Sequence, residues 1–204
     1  MAYLILVRHG ESIWNAQGLW TGLVDVDLSP TGIIDAKEAG QLIKGIKPQI
    51  AFTSKLKRAQ HTLKEILRVL DIDHIPTFET SALNERDYGD FTGKNKWEIE
   101  KEYGHNQFIK WRRGWDVQVP NGESLKDVYE RVVPYYVEHI LPKLKSGKNV
   151  LVSAHGNSLR ALVKYLDDIS DKDITKLELE YCEVYIYQIN EDGQIISKEV
   201  RVKD

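Results

Sequence analysis

Two histidines in this sequence end apolar runs, and a glycine follows each of them. His9, preceded by Arg8, ends a run near the start of the chain, and His155 ends a second one. Continuous apolar runs are typical of strands buried on both faces of a sheet, and open α/β sheets bind ligands at the carboxyl ends of such strands. Arginine beside histidine there indicates an anion held next to a nucleophile or acid/base group. The alternative is a strand-end basic pair, with Gly10 serving only a turn.

Phosphoryl transfer through histidine is one chemistry that these residue types could perform. The nucleophilic nitrogen must be unprotonated near neutral pH, and a neighbouring arginine lowers a histidine pKa. Donors must surround the phosphoryl oxygens, and an acid must protonate the leaving oxygen. The residues that could fill these roles beside His9 lie where elements join or in an irregular part of the chain: Arg8, Arg58, Glu85 and His155.

The composition limits the function classes. The 204 residues fit one domain, and 42% hydrophobic with 29% charged residues is ordinary for a soluble globular protein. The net charge of -3 argues against nucleic acid as a partner, so the positive charge that binds an anion must be concentrated locally. No apolar run approaches the length of a membrane span, and the N-terminus has no charged segment or cleavage site.

The cysteine and histidine usage concerns compartment and metal chemistry. Cys182 is the only cysteine, which excludes an intramolecular disulfide and fits a reducing compartment. It lies in a strand-like run, so a buried thiol is favoured over a nucleophile. No His/Cys/Asp cluster has metal-ligand spacing, so we expect no metal. These features predict a cytoplasmic protein without a membrane partner.

Alternating strand and helix patterns predict the elements that position these side chains. The predicted strands are 3–7, 49–54, 74–78 and 149–154, with a terminal hairpin of 182–189 and 194–202. The predicted helices are 29–46, 56–70, 96–103, 105–113, 124–144 and 158–166. Ile33 should lie on the apolar face of the first helix, and Pro134 and Pro142 should bend or break the helix 124–144. The pattern predicts an α/β fold: a three-layer α/β/α arrangement with a mostly parallel central sheet.

Residues 81–122 depart from this alternation. Aromatic, glycine and charged residues dominate there, and long irregular segments in compact domains are usually functional. We therefore predict one domain over residues 1–204 with a lid-like insertion at about 81–122 that covers the site. The tryptophans are expected to pack under and around this lid: Trp14, Trp20, Trp97, Trp111 and Trp115.

Motifs spread in order over most of the chain carry a family resemblance. They run from Leu6 to Asn15, Trp20 to Ser29, Thr53 to Ala59, Leu83 to Gly89, Gly93 to Lys96, Trp111 to Gly114, Gly122 to Leu125 and Ala154 to Arg160. The sequence resembles the cofactor-dependent (2,3-bisphosphoglycerate-dependent) phosphoglycerate mutases of the histidine phosphatase superfamily. The paired arginines with their tryptophan and the Asn-Glu-Arg…Tyr-Gly run resemble the mutase branch, whereas Arg-His-Gly alone would mark only the superfamily.

The resemblance implies a role for each matching residue. His9 would be the phosphorylated nucleophile and Glu85 the general acid and base. Arg8, Arg58 and His155 would hold the transferring phosphoryl group. The remaining residues would bind substrate around these groups: Ser12, Asn15, Thr21, Gly22, Arg86, Tyr88, Lys96, Arg112, Arg113, Gly156 and Asn157.

The implied reaction is the interconversion of 3-phosphoglycerate and 2-phosphoglycerate through a phosphohistidine, primed by 2,3-bisphosphoglycerate. The implied partners are small phosphorylated three-carbon acids, and a homodimer is one candidate assembly. A mutase must hold an anion at both ends, and a second cationic cluster of Lys96, Arg112 and Arg113 suits that task because arginine forks bind oxyanions in a bidentate manner.

Alternatives remain at the level of both residue and function. Arg112 and Arg113 could form a solvated helix end, Lys96 could be an ordinary surface lysine, and Glu85 could simply pair with Arg86. A histidine phosphatase that hydrolyses small phosphate esters is the competing activity, and a catalytically silent phosphoester-binding module is a third hypothesis. Retention of Arg8 together with the other four catalytic candidates argues against the silent module.

Two departures from the family pattern bear on the competing activities. Only Gly114 to Asn121 separates the paired arginines from the Gly-Glu-Ser-Leu motif, where many members carry a longer segment. The last strands are preceded by Leu177 to Val184 instead of a Thr-Gly-type turn, and little chain follows them. Since a phosphohistidine open to water hydrolyses, both changes predict some phosphatase activity.

Overall fold

The computed structural model describes residues 1–203 and contains one six-stranded mixed sheet. Its strands are β1 (Ala2–Arg8), β2 (Ile50–Ser54), β3 (Thr77–Thr80), β4 (Val150–Ala154), β5 (Val184–Ile189) and β6 (Ile195–Arg201). Their spatial order is β3-β2-β4-β1-β5-β6. The first four are parallel to one another, while β5 and β6 are antiparallel additions. The prediction of a mostly parallel α/β sheet is confirmed.

Helices cover both faces of this sheet. The helices of the chain are α1 (Ile13–Ala16), α2 (Pro30–Ile43), α3 (Lys57–Val69), α4 (Lys96–Tyr103), α5 (His105–Arg113), α6 (Leu125–Tyr135), α7 (Leu141–Lys145) and α8 (Gly156–Leu166). Side chains of α2 and α3 pack with one face of the central strands, and those of α6 and α8 pack with the other. Buried apolar side chains therefore line both sides of β1 and β4, which explains their uninterrupted hydrophobic sequences.

The segment from Gly89 to Val119 builds a separate small core away from the sheet. Its buried members are aromatic and aliphatic: Trp20, Phe91, Ile99, Phe108, Trp111 and Val119. Trp97 is 58% exposed instead of packed, and Trp115 packs against the main core. The predicted helices 96–103 and 105–113 are present with these bounds as α4 and α5, separated by Gly104 at φ +81°.

Several sequence predictions need correction. Ile33 is 40% exposed, because α2 turns small residues toward α3, and a Cβ at Gly40 would lie 2.7 Å from Val69 Cβ. The third strand begins at Thr77, later than predicted. The helix predicted over 124–144 is interrupted after Pro134 by a π-helical turn at Tyr136–Ile140, but the backbone stays helical into α7, so the prolines do not end it.

Cys182 lies just before β5 and not within it. Its backbone is left-handed, with φ at +58°, and its thiol is 3% exposed. The prediction of a buried thiol is confirmed, and burial raises the pKa of this group. Among residues 1–203, no helix is long and apolar enough to cross a membrane.

Candidate active site

Backbone contacts at the end of β1 fix the position of His9. The His9 N–H donates to Ala154 O at 2.9 Å, and the Gly10 N–H donates to Thr62 Oγ1 at 3.1 Å. A Cβ at Gly10 would lie 2.2 Å from Gly32 O, at the first turn of α2. Gly10 therefore does more than form a turn, since only glycine allows the chain to cross the helix so closely.

The imidazole of His9 is buried and held as a neutral ring. His9 Nδ1 lies 2.6 Å from Gly10 O, which accepts only if Nδ1 carries the proton. Nε2 is then the unprotonated nitrogen. Burial, with the positive charges of Arg58 and Arg8, holds the pKa of His9 well below 6.5. The ring is thus suited to act as a nucleophile at neutral pH through Nε2.

Two arginines stand beside this ring. Arg58, in the first turn of α3, donates to Val24 O at 2.9 Å and to Gly22 O at 2.8 Å, and burial lowers its pKa. The Arg8 guanidinium donates to Leu179 O at 2.6 Å and lies 4.0 Å from the centroid of the Tyr181 ring. Both side chains line the cavity above His9, so their charges face an anion placed there.

His155 lies behind His9. The two ring centroids are 4.9 Å apart, and His155 Nε2 is 2.7 Å from Ser54 Oγ. His155 is fully buried and does not line the cavity. Its Nδ1 has no hydrogen-bond partner among residues 1–203. Burial, followed by the charge of Arg58, holds the pKa of His155 well below 6.5.

One oxygen of Glu85 is occupied and the other is not. Glu85 Oε1 accepts from Arg86 N at 2.8 Å, from Asn157 N at 3.2 Å and from Asn157 Nδ2 at 3.1 Å. Oε2 points toward the cavity, where a Cβ on Gly156 would lie 3.7 Å from it. The geometry makes Oε2 the atom available to give or take a proton. These contacts also rule out the alternative that Glu85 merely pairs with the Arg86 side chain.

Arg131, on α6, fixes the loop that carries Glu85. Its Nη1 donates to Ala82 O at 2.7 Å and Asn84 O at 3.0 Å, and its Nη2 donates to Glu85 O at 3.0 Å. Arg131 also pairs with Glu123 at 3.1 Å. Glu123 lies in the Gly-Glu-Ser-Leu motif, which begins α6 with a Ser124–Asp127 capping box.

The same cavity carries the second cationic cluster, formed by Lys96, Arg112 and Arg113. We call this part of the cavity its far end, because none of these three charges is among those that shift the pKa of His9 or Arg58. Lys96 begins α4, and the two arginines end α5. Burial and the charge of Arg112 lower the pKa of Lys96 to about 8. The carboxylate of Glu178 pairs with both arginines, so they are not a freely solvated helix end.

The structure brings most of the predicted residues to one cavity of about 190 Å³. Those that line it are Arg8, His9, Asn15, Thr21, Arg58, Glu85, Tyr88, Lys96, Arg112, Arg113, Gly156 and Asn157. Ser12, Gly22, Arg86 and His155 are buried outside its lining. Ser12 caps α1, and Gly22 O accepts a hydrogen bond from Arg58, so both residues shape the cavity without lining it. Arg86 lies 4.8 Å from the Tyr88 ring, and its guanidinium has no hydrogen-bond partner within residues 1–203.

Sequence reasoning missed two parts of the cavity wall. Arg160 Nη1 donates to Asn157 Oδ1 at 3.0 Å, and burial with nearby arginines lowers the pKa of Arg160 to about 9. Its position three residues after Asn157 on a helix could have revealed that contact. The other part is the segment Glu178–Tyr181, for which no local signal exists because the chain reaches the cavity from a distant element.

The fold and this arrangement define a class: an α/β protein with a neutral histidine, flanking arginines and a carboxylate for phosphoryl transfer. Residues 4–200 match the model of the histidine phosphatase superfamily (branch 1). The 2,3-bisphosphoglycerate-dependent phosphoglycerate mutase of Mesorhizobium japonicum is 51% identical over 199 residues, covering 97% of each chain. The Bradyrhizobium diazoefficiens protein of the same name is 49% identical over 197 residues, 96% of this chain and 95% of the relative.

Solved structures share the fold at lower identity. A mycobacterial glucosyl-3-phosphoglycerate phosphatase has a TM-score of 0.84 at 22% identity, covering 100% of this chain and 99% of its own. YhfR of Bacillus stearothermophilus has a TM-score of 0.82 at 26% identity, covering 100% of this chain and 96% of its own. The chain belongs to the histidine phosphatase superfamily, branch 1, and within it to the family of the 2,3-bisphosphoglycerate-dependent phosphoglycerate mutases.

Proposed function

We propose that the protein interconverts 3-phosphoglycerate and 2-phosphoglycerate, with a phosphoryl group carried on His9. The observation that carries this proposal is one cavity lined by two sets of cationic side chains: Arg8 and Arg58 beside His9, and Lys96, Arg112 and Arg113 at the far end. A monoester phosphatase needs only the first set. An enzyme that holds a carboxylate or second phosphate while the first is transferred needs both.

The residues present fit 2,3-bisphosphoglycerate, the primer that the relatives' name includes. Arg8 and Arg58 would hold the phosphate next to His9, and the cluster at the far end would hold the other anionic groups. Asn15, Thr21 and Tyr88 line the same cavity. When bound, 2,3-bisphosphoglycerate supplies the phosphoryl group that charges His9.

The chain's own groups account for the proton and charge movements. His9 gives its phosphoryl group to a substrate hydroxyl, and Glu85 Oε2 takes the proton of that hydroxyl. His9 Nε2 then accepts the other phosphoryl group, and Glu85 returns its proton to the oxygen that is left. Arg8 and Arg58 neutralise the phosphoryl oxygens in both directions, which is where this type of catalysis gains most. His155 supports the His9 ring from behind.

The proposal is tested by following isomerisation in a coupled assay with and without 2,3-bisphosphoglycerate, beside release of inorganic phosphate. Isomerisation should require priming and should exceed phosphate release by at least about a hundredfold. Phosphate release faster than isomerisation would instead support the phosphatase. The absence of both activities, and of acid-labile label on His9, would support the silent binding module. The proposed substrates and the single buried cysteine fit a cytoplasmic enzyme.

A further inference from the structure

A segment without a sequence signal crosses the second cationic cluster. Leu177 to Tyr181 connects the 3-10 turn Asp173–Lys176 to β5, and Glu178 lies in its exposed part. The carbonyls on either side of Glu178 are held, because Leu177 O accepts from Arg160 Nε at 3.0 Å and Leu179 O accepts from Arg8 Nη1 at 2.6 Å. The backbone at Glu178 is therefore fixed at the cavity by two arginines.

The Glu178 carboxylate occupies the fork of Arg112 and Arg113. One oxygen accepts a hydrogen bond from Arg113 Nη2, and the other lies 3.5 Å from Arg112 Nη2. Burial acts to raise the pKa of Glu178, but the hydrogen bond from Arg113 and the two positive charges outweigh it, and the pKa is lowered. The carboxylate is thus an anion bound by the same groups that the proposed substrate needs.

The competition is unequal along the cavity. Within residues 1–203 no carboxylate forms an ion pair with Arg8 or Arg58, whereas Glu178 pairs with both arginines of the far cluster. The charge of Arg8 also lowers the pKa of Glu178, but less than those two arginines do. Glu178 is 40% exposed in its side chain and Arg112 33%, so the pair can open without unfolding the cavity. An incoming anionic group at the far end must displace Glu178 or share the arginines with it.

We propose that Glu178 is the resident counter-ion of the far anion site and sets the affinity of the enzyme for ligands with a second anionic group. This rests on the proposed function, because it assumes that Arg112 and Arg113 receive that group. Glu178 weakens the binding of phosphoglycerates more than that of a ligand that reaches only Arg8, Arg58 and His9, because it pairs with neither of those arginines. It also favours release, because the carboxylate returns to the arginines as product leaves.

The test compares Glu178→Gln with the unmodified enzyme by calorimetric titration with 3-phosphoglycerate and, separately, with inorganic phosphate. The variant should bind 3-phosphoglycerate about three- to tenfold more tightly, and its affinity for inorganic phosphate should change less. Glu180→Gln is the matched control: it removes the same charge from the same segment, but Glu180 pairs with neither arginine. In a background with Arg112→Gln and Arg113→Gln the gain should disappear.

The outcomes separate this inference from the proposed function. If the Glu178→Gln variant binds 3-phosphoglycerate equally or more weakly, Glu178 does not compete with the ligand. Its role would then be to hold Arg112 and Arg113 in position, and the inference would be overturned. A matching gain in 3-phosphoglycerate affinity in Glu180→Gln would show that the effect comes from net charge alone, and this would overturn the inference as well. Failure of both the unmodified enzyme and the variant to bind 3-phosphoglycerate would contradict the proposed function, and the inference would fall with it.

Discussion

The imidazole rings of His9 and His155 lie edge to face, with centroids 4.9 Å apart and planes at 63°. Both rings are almost completely buried, and both have pKa values well below 6.5. A proton on either ring would face the other ring as well as Arg58 and Arg8. The pair is therefore stable as two neutral rings, and this has a consequence for stability.

We expect the free energy of unfolding to fall as the pH drops below about 6.5. The unfolded chain binds a proton at each histidine below that pH, whereas the folded chain does so only below its lowered pKa values. Between these limits each histidine contributes about 1.4 kcal/mol per pH unit of destabilisation. Urea unfolding between about pH 7.5 and 5 measures this slope. In His9→Asn the slope should decrease by the contribution of one histidine, about 1.4 kcal/mol per pH unit. An unchanged slope would contradict the assignment of a neutral His9.

Replacing Glu85 by glutamine should slow chemistry and spare binding. The amide oxygen can still accept from Asn157, but the group can no longer take a proton, so turnover should fall about 10²- to 10⁴-fold. Affinity for 2,3-bisphosphoglycerate, measured by calorimetry, should change less than about threefold. Glu79→Gln, on the exposed strand β3, is the control of equal charge change. Unchanged turnover of Glu85→Gln would remove this residue from the acid/base role.

Replacing Arg112 and Arg113 together by alanine should affect the two activities differently. The double variant loses the far anion site but keeps Arg8, Arg58 and His9. Isomerisation should therefore fall by about a hundredfold or more, and hydrolysis of a simple phosphate ester by less than about tenfold. Lys110→Ala, an exposed residue of the same helix, provides the control. An equal loss of both activities would show that the arginines do not form a separate second site.

The sequence predicts the sheet-centred part of the site well. His9 and His155 end apolar runs, and such runs become neighbouring parallel strands whose ends meet at one edge. Residue type and place in the irregular segment make Glu85 a candidate, and the family resemblance gives it the acid/base role. Lys96, Arg112 and Arg113 follow from the resemblance, since spacing alone leaves a solvated surface as an alternative. The bounds of α4 and α5 were predictable because Gly104 separates two clear polar helices.

Local sequence patterns do not reveal the positions of side chains that tertiary packing determines. Glu178 reaches the arginines only because Arg8 and Arg160 hold the carbonyls beside it. Ile33 faces outward because the close approach of α2 and α3 favours small residues between them. No pattern of periodicity contains these contacts.

Arg131 should matter for catalysis without touching the cavity. In Arg131→Met three carbonyls lose a donor and Glu123 loses its ion pair, so the free energy of unfolding should fall by about 3 kcal/mol. Turnover of the fully folded variant should also fall, with KM changed less, because Glu85 is no longer held in place. Arg131→Lys should restore the charge pair but only part of the turnover, since its single amine cannot replace the fork. Normal turnover in the folded Met variant would make the role purely structural.

Gly10 follows His9 and Gly156 follows His155, but alanine should have different effects at the two positions. In Gly10→Ala the new Cβ would lie 2.2 Å from the backbone oxygen of Gly32, which cannot move without displacing α2. We expect a loss of more than about 3 kcal/mol in the free energy of unfolding.

In Gly156→Ala the nearest atoms are Arg8 Nε at 3.5 Å and Glu85 Oε2 at 3.7 Å, an ordinary contact distance. This variant should keep its stability within about 1 kcal/mol and lose activity, because the methyl group enters the cavity between two reacting side chains. Urea unfolding and turnover measured on both variants check the contrast, and a stable Gly10→Ala protein would contradict the close crossing of β1 and α2.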